Sequence, residues 1–473
     1  MSVSHSRRLG VAHRSSRRRS RALGGELPVY SGPFGIEQAE RLLWRAGFGP
    51  RPGQAAQLAR HGVRGAVLSL TRPRRVALEG PPPVTQAGQP IDPYNVNGHE
   101  VLWWLDRMVR SSAPLIERMT LVWHDWFATS NAGVGSRRLM IAQNASQRRL
   151  CLAGFESLFA AMTIDPAMLV FLSGTSNKKG APNENYAREM QELFTLGAGS
   201  GYSERDVREH ARALTGWTST WNPTSKEPES FHFDRSRHDA GVKLIYGRRG
   251  RFGWRDSVRL VLSHPAHPRH FVTKLWSYFS PEPLSAREER AAERLYVSSG
   301  RRIRPVVEAM LMHPLVHAGP RMVKPPIVQI AGMLRAIGRH VDSDIWAWES
   351  NLAGQMPFYP PNVGGWDATR WLNTGTWLAR FNLASSMIGE QRALNPSVAK
   401  GTVPADPRTL VNDAIAFWGS PTLSPATHGA LISYAQSAAV DAATKRWQRE
   451  QFPVIALNAL RALVVATPDY HTC

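Results

Sequence analysis

The sequence predicts a mainly α protein: a large multi-helix body with one short β-hairpin and a loop region rich in Pro and Gly. Three observations lead there. Apolar residues recur at helical spacing through most of the 473 residues. Alternating runs of the strand type are confined to one stretch, and no window approaches the roughly 18 apolar residues of a membrane span.

The elements follow in chain order. Residues 1–24, MSVSHSRRLGVAHRSSRRRSRALG, carry seven arginines and no acid, the composition of a solvated, disordered tail. The following GELPVYSGPFG lacks the apolar run of an export signal, so this reading places the chain in the cytoplasm. Residues 25–70 form a small N-terminal helical unit, in which GIEQAERLLWRAGFG (35–49) sets Ile36, Ala39, Leu42 and Leu43 on one face and stops at a glycine. Residues 71–98 are a Pro-rich connection.

The main helical body spans 99–395. APLIERMTLVWHDWFATS (113–130) is strongly amphipathic, and another helical stretch follows it. PNENYAREMQELFTLG (182–197) has Asn183 as N-cap after a proline and runs to Gly197. In GYSERDVREHARALTGW, Ser203 and Asp206 have capping-box spacing, with Gly216 at the far end. FHFDRSRHDAGVKLIYG (231–247) reads as a hairpin around a polar turn. Helices resume in HPRHFVTKLWSYF, RRIRPVVEAMLMHP and VKPPIVQIAGMLRAIGRH, and the loop QMPFYPPNVGGWDATRWLN (355–373) interrupts them. A linker at 396–408 precedes a C-terminal helical section, 409–473.

Charge narrows the choice of partners. The chain has 58 basic and 37 acidic side chains, a formal net charge of +21; eight of the basic residues are lysines and the rest arginines. Arginine forks onto carboxylates and phosphates, so the surplus suits anionic partners. It is also what a GC-rich genome places at exposed positions, and that reading is preferred to a dedicated nucleic-acid surface. The two cysteines, Cys151 and Cys473, exclude a disulfide framework and a cysteine metal cluster.

The chemistry candidates lie in three segments. On a helical wheel of 182–197, Tyr186, Met190, Leu193 and Phe194 form the core face; Asn185 and Glu189 share its flank and are placed to aim inward together. Such a pair suits a divalent metal, a proton transfer or an arginine partner, and equally a structural network with Arg188 or Arg212 as cation. His124 lies between Trp123 and Trp126, where a metal ligand and a satisfied core histidine are both open readings. His238, Asp239 and Lys243 stand together in the polar turn of the hairpin, where functional side chains tend to be mounted. SHPAHPRH (263–270) and MHPLVH (312–317) resemble metal tracts, although helix capping accounts for them as well. Common catalytic motifs are absent from the sequence.

Taken in order, RLLWRAGFGP, LVWHDWFATS, DPAMLVFL, PNENYAREMQELFTLG, GYSERDVREHARALTGW, HDAGVK, HPRHFVTKLWSYF, QMPFYPPNVGGWDATRWLN and ALRALVVATPDYH resemble the bacterial family called domain of unknown function 1800, or DUF1800, over residues 35–470. The resemblance implies that Pro182, Asn183, Glu184, Asn185, Ala187, Arg188, Glu189 and Glu192 to Thr195 carry the characteristic segment, and His238, Asp239 and Lys243 the second element. It also implies export alongside a neighbouring protein of alkaline-phosphatase or sulfatase type. Many relatives read a second histidine where this chain has Trp126, which counts against a two-histidine metal site on that helix.

Two expectations follow. One is an enzyme gathering Asn185, Arg188, Glu189, Asp239 and Lys243 as catalytic residues, with His124, Glu189 and His238 around a divalent metal, or a phosphate- or sulfate-like group, and Glu189 or His238 as general base. The other is a non-catalytic helical scaffold for the hydrolase-like neighbour, its polar residues paired among themselves.

Overall fold

The computed structural model describes residues 26–399, 401–441 and 446–473; the tail at 1–24 lies outside them. The described residues are 55% helical, with 23 α-helices, and strands make only two short antiparallel pairs among them. None of the described helices is long and apolar enough to cross a membrane.

The local signals act as their chemistry requires. Ser203 accepts from the Asp206 N–H, and the Asp206 carboxylate accepts from the Ser203 N–H at 2.9 Å, closing the capping box of the Glu204–Ala213 helix. Asn183 caps Glu184–Glu192 by accepting from the Asn185 N–H.

The hairpin is placed differently from the sequence reading. Residues 231–233 pair backwards, as part of Glu227–Phe233 against Trp217–Asn222, while Lys243–Ile245 pairs forwards with Arg248–Gly250. The second hairpin turns on Tyr246 and Gly247, both at positive φ (47° and 75°), the two-residue turn whose twist suits flanking strands. The polar stretch between the two hairpins is a loop tied to Gly216 and Thr215 rather than a hairpin turn.

Two large apolar clusters form the interior. One joins the Ile36–Arg45 and Pro114–Trp126 helices to Phe155–Thr163, Glu184–Glu192, His267–Ser277 and Ile303–Leu311. The other joins His99–Arg110 and Pro326–Ala336 to the C-terminal helices. The Pro114–Trp126 helix serves both: Met119, Val122, Trp123 and Trp126 belong to the first, Leu121 to the second. The residues at its C-terminal end therefore lie at the seam.

Candidate functional site

The Glu184–Glu192 helix is rotated from the wheel reading. Tyr186, Met190 and Phe194 are buried as expected, but so are Ala187 and Gln191, and Leu193 is only partly covered. The polar group carried inward is Gln191, which donates to the Ala187 carbonyl at 2.9 Å and accepts the Tyr246 hydroxyl at 2.7 Å. Asn185 is exposed and Glu189 half-buried. Ala187 is fully buried on the inward face.

Each remaining candidate has its own partners. Arg188 binds Glu204 at 2.7 Å and Glu184 at 3.3 Å on the surface. Burial, then the Glu192 charge, raises the Glu189 carboxyl above its usual range. His238 gives its Nδ1 hydrogen to the Thr215 carbonyl at 2.9 Å. Asp239 is held below the usual carboxylate range by its hydrogen bond from Arg212, at 2.8 Å. The buried Lys243 ammonium donates to the Asp239 and Gly241 carbonyls. His124 is fully buried, and its Nε2 accepts the Phe358 N–H at 3.1 Å between Trp104 and Trp366. Burial drives it down to about 3, so it is neutral. Phe358 itself is bulky and at φ +68°, a rare conformation, secured by that bond and by its carbonyl accepting from Asn131 at 2.8 Å. His124 is thus a satisfied core histidine that fixes a loop. Among the described residues no three His, Cys, Asp or Glu side chains gather as a metal requires, and His124 and His238 are each held by separate partners. The His-Pro tracts serve as caps and crosslinks: His313 Nδ1 accepts from the Leu315 N–H, and His267 donates to the Thr195 carbonyl at 3.0 Å.

What the sequence reading missed lies one residue after His124. Asp125 Oδ2 accepts the Tyr278 hydroxyl at 2.6 Å, and Oδ1 accepts the Trp366 N–H at 2.8 Å. Gly365 makes this approach feasible, because a Cβ there would stand 2.3 Å from Asp125 Oδ1. One turn before Tyr278, Lys274 donates to the Leu193 carbonyl at 3.0 Å and sits 4.6 Å over the Trp126 ring. His270, a further turn back, donates to the same carbonyl at 3.2 Å, and Trp126 donates to the Phe194 carbonyl at 3.0 Å. Two motif segments thus meet at the C-terminal end of the Glu184–Glu192 helix, where a cation also complements the helix dipole.

Asp125, His270, Lys274 and Tyr278 are each only partly exposed. The electrostatics around them are unbalanced. Burial raises the Asp125 carboxyl above its usual range even though Tyr278, the Trp366 N–H, Lys274 and Arg118 pull it down. Burial lowers Lys274 to about 8, opposed only by Asp125, and lowers His270 to about 4. The partners of Lys274 are the Leu193 carbonyl and the Trp126 ring. The available signal was an acid inside the aromatic run VWHDWF, and a Lys and Tyr at i, i+4 in the apolar FVTKLWSYF.

Comparison with known proteins gives one match. A family model described as "Protein of unknown function (DUF1800)" matches residues 41–472. No curated protein and no solved structure matches the chain.

Proposed function

The chain belongs to the DUF1800 family, and we propose that it is an enzyme of the acid–base type, with its site around Asp125. Lys274 is the proton-transfer group, and Asp125, oriented by Tyr278 and the Trp366 N–H, binds a hydrogen donor of a small polar substrate. The observation that supports this reading is a lysine lowered to about 8 by burial within electrostatic reach of a carboxylate raised by burial, each keeping partial contact with solvent. Structural lysines are normally paired or solvated, whereas a lysine brought near neutral pH can both take and give a proton. Arg188, Arg212, Asp239 and Lys243 then act as framework, and Glu189 as a group outside the reacting centre.

The second reading is the scaffold for a hydrolase-like neighbour. The closed Arg188–Glu204 and Arg212–Asp239 pairings favour it, since they leave those charges nothing to offer a substrate.

The two readings separate on the pH dependence of Lys274 acylation, followed by mass spectrometry of the intact folded protein. The enzyme reading expects a midpoint near 8 that moves lower in Asp125→Asn, because a neighbouring negative charge is lost. A midpoint near the ordinary lysine value of about 10.4, or a Lys274 that no reagent reaches, would remove the Asp125–Lys274 site as a reacting centre and favour the scaffold.

A further inference from the structure

The loop at 355–373 is held to the body unevenly. At its near end the Phe358 N–H donates to His124 Nε2 at 3.1 Å, and the Phe358 carbonyl accepts from the Asn131 N–H. The Tyr359 hydroxyl donates to the buried Glu100 at 2.6 Å and accepts from Asn131 Nδ2 at 3.0 Å. From Pro360 onwards the bonds turn inward. Gly364 and Gly365 donate to Asn362, Thr369 and Arg370 bond Asp367, and Asn373 Nδ2 donates to the Arg370 carbonyl. Among the described residues, one hydrogen bond joins 360–373 to anything but itself and the helix that follows it: the Trp366 N–H to Asp125 Oδ1, at 2.8 Å.

Its other grips are apolar. Val363 is partly buried against the first cluster, the Trp366 ring lies 5.5 Å from the His124 ring, and Trp371 is buried. That burial leaves the Trp371 indole N–H without a partner among the described residues, and a buried donor lacking an acceptor is destabilising. Pro361, Asn362, Gly364 and the stretch 367–370 are exposed.

The same segment covers the carboxylate that holds it. Gly365, at φ +85°, lies so close that a Cβ there would stand 2.3 Å from Asp125 Oδ1 and 3.0 Å from its Cγ, which leaves no room for a further atom on that side. In this arrangement Trp366 occupies Oδ1 and Tyr278 occupies Oδ2. Tyr278 directly follows the His267–Ser277 helix, which is packed into the first cluster. Of the two donors, the one on the loop is therefore the one free to yield.

We propose that residues 360–373 are a lid over Asp125, turning beside Tyr359 and latched by the Trp366 N–H. This rests on the acid–base reading of Asp125 and Lys274 and adds how a substrate reaches the carboxylate: its hydrogen donor takes the acceptor that Trp366 gives up. Binding and opening are then one exchange of partners. Pro360 and Pro361 have little freedom in φ, so the segment swings as a stiff piece about its near end.

Hydrogen–deuterium exchange on the full chain, resolved to single amides by mass spectrometry, compares two latches on one helix end. Phe358 and Trp366 donate to the consecutive residues His124 and Asp125, so a general loosening of that helix end would exchange both alike. A lid instead gives a Trp366 amide that exchanges roughly tenfold faster than Phe358 or more, in step with the other amides of 362–371. In Gly365→Ala the added methyl group cannot lie against Asp125. Exchange across 362–371 should then rise several-fold while Phe358 is unchanged, and carbodiimide coupling of glycinamide to Asp125 should speed several-fold relative to the exposed Asp367. Trp366 exchanging in step with Phe358 in the unaltered protein overturns the lid, as does an Asp125 labelled no faster in folded Gly365→Ala. Should that variant fail to fold, the comparison within the unaltered protein decides alone. An ordinary Lys274 midpoint beside a fast Trp366 amide overturns the chemistry and with it the purpose of the lid; a midpoint near 8 with Trp366 and Phe358 in step overturns the lid and leaves the chemistry standing.

Discussion

Tyr278 reaches Asp125 at 2.6 Å across 153 residues of sequence, and the bond fixes how two helices from different parts of the chain share one carboxylate. Replacing Tyr278 by Phe leaves the ring and removes the donor. Hydrogen bonds to charged groups contribute about 1.5–3 kcal/mol, so Tyr278→Phe should lose that much in chemical denaturation. A loss below about 0.5 kcal/mol would mean that Asp125 is satisfied without it.

Gln191 and Tyr246 form a second long-range pair, at 2.7 Å. Gln191→Leu strands the Tyr246 hydroxyl and should cost about 1–3 kcal/mol, with much of the loss recovered in the double variant Gln191→Leu/Tyr246→Phe. Additive losses in that cycle would show the pair to be uncoupled.

The rotation of the Glu184–Glu192 helix is tested by two truncations. Phe194, fully buried, should cost about 3–5 kcal/mol as Phe194→Ala, whereas Asn185→Ala, at an exposed position, should stay within about 0.5 kcal/mol apart from its small effect on helix propensity. Equal effects in urea melts would restore the inward-facing Asn185.

Acid should destabilise the protein through its histidines. Burial lowers His124, His210, His267 and His471 to about 3 and His270 and His317 to about 4. Each binds its proton more readily unfolded than folded, so its contribution is intact above about pH 6.5 and is lost as pH falls towards the folded value. Asp106 and Asp165, raised to about 6 by burial, act in the opposite direction over a narrower interval. Stability measured from pH 7 down to about pH 4 should therefore decline, and less steeply in His124→Gln. A flat profile would show that these rings are protonated in the fold.

Much of the fold was readable because capping and periodicity are local. Ser203, Asp206 and Asn183 declare their helix ends within four residues. The hairpins were misassigned because pairing is a choice between partners: 231–233 finds Trp217–Asn222, a stretch too polar to stand out as a strand. In the candidate site, the segments were visible but the working residues were not. His124 attracted notice as a lone histidine, although its neighbour Asp125 is the group that gathers donors, and only tertiary contact with Tyr278 and Gly365 distinguishes the two. Lys274 reads as an ordinary solvated lysine until its surroundings are known.

The carbonyls of Leu193, Phe194 and Thr195 are taken by side chains from 126, 267, 270 and 274, which constrains what these positions can hold. A change at 126 or 267 leaves its carbonyl without a side-chain donor, whereas Leu193 keeps one donor when either 270 or 274 is lost, so positions 126 and 267 should be the more constrained when sequences of relatives are compared. A histidine at the place of Trp126 still has an N–H to offer the carbonyl of residue 194, but it provides a smaller face for the ammonium of residue 274. Lineages with histidine there should therefore differ from this one at 274 more often than at 267.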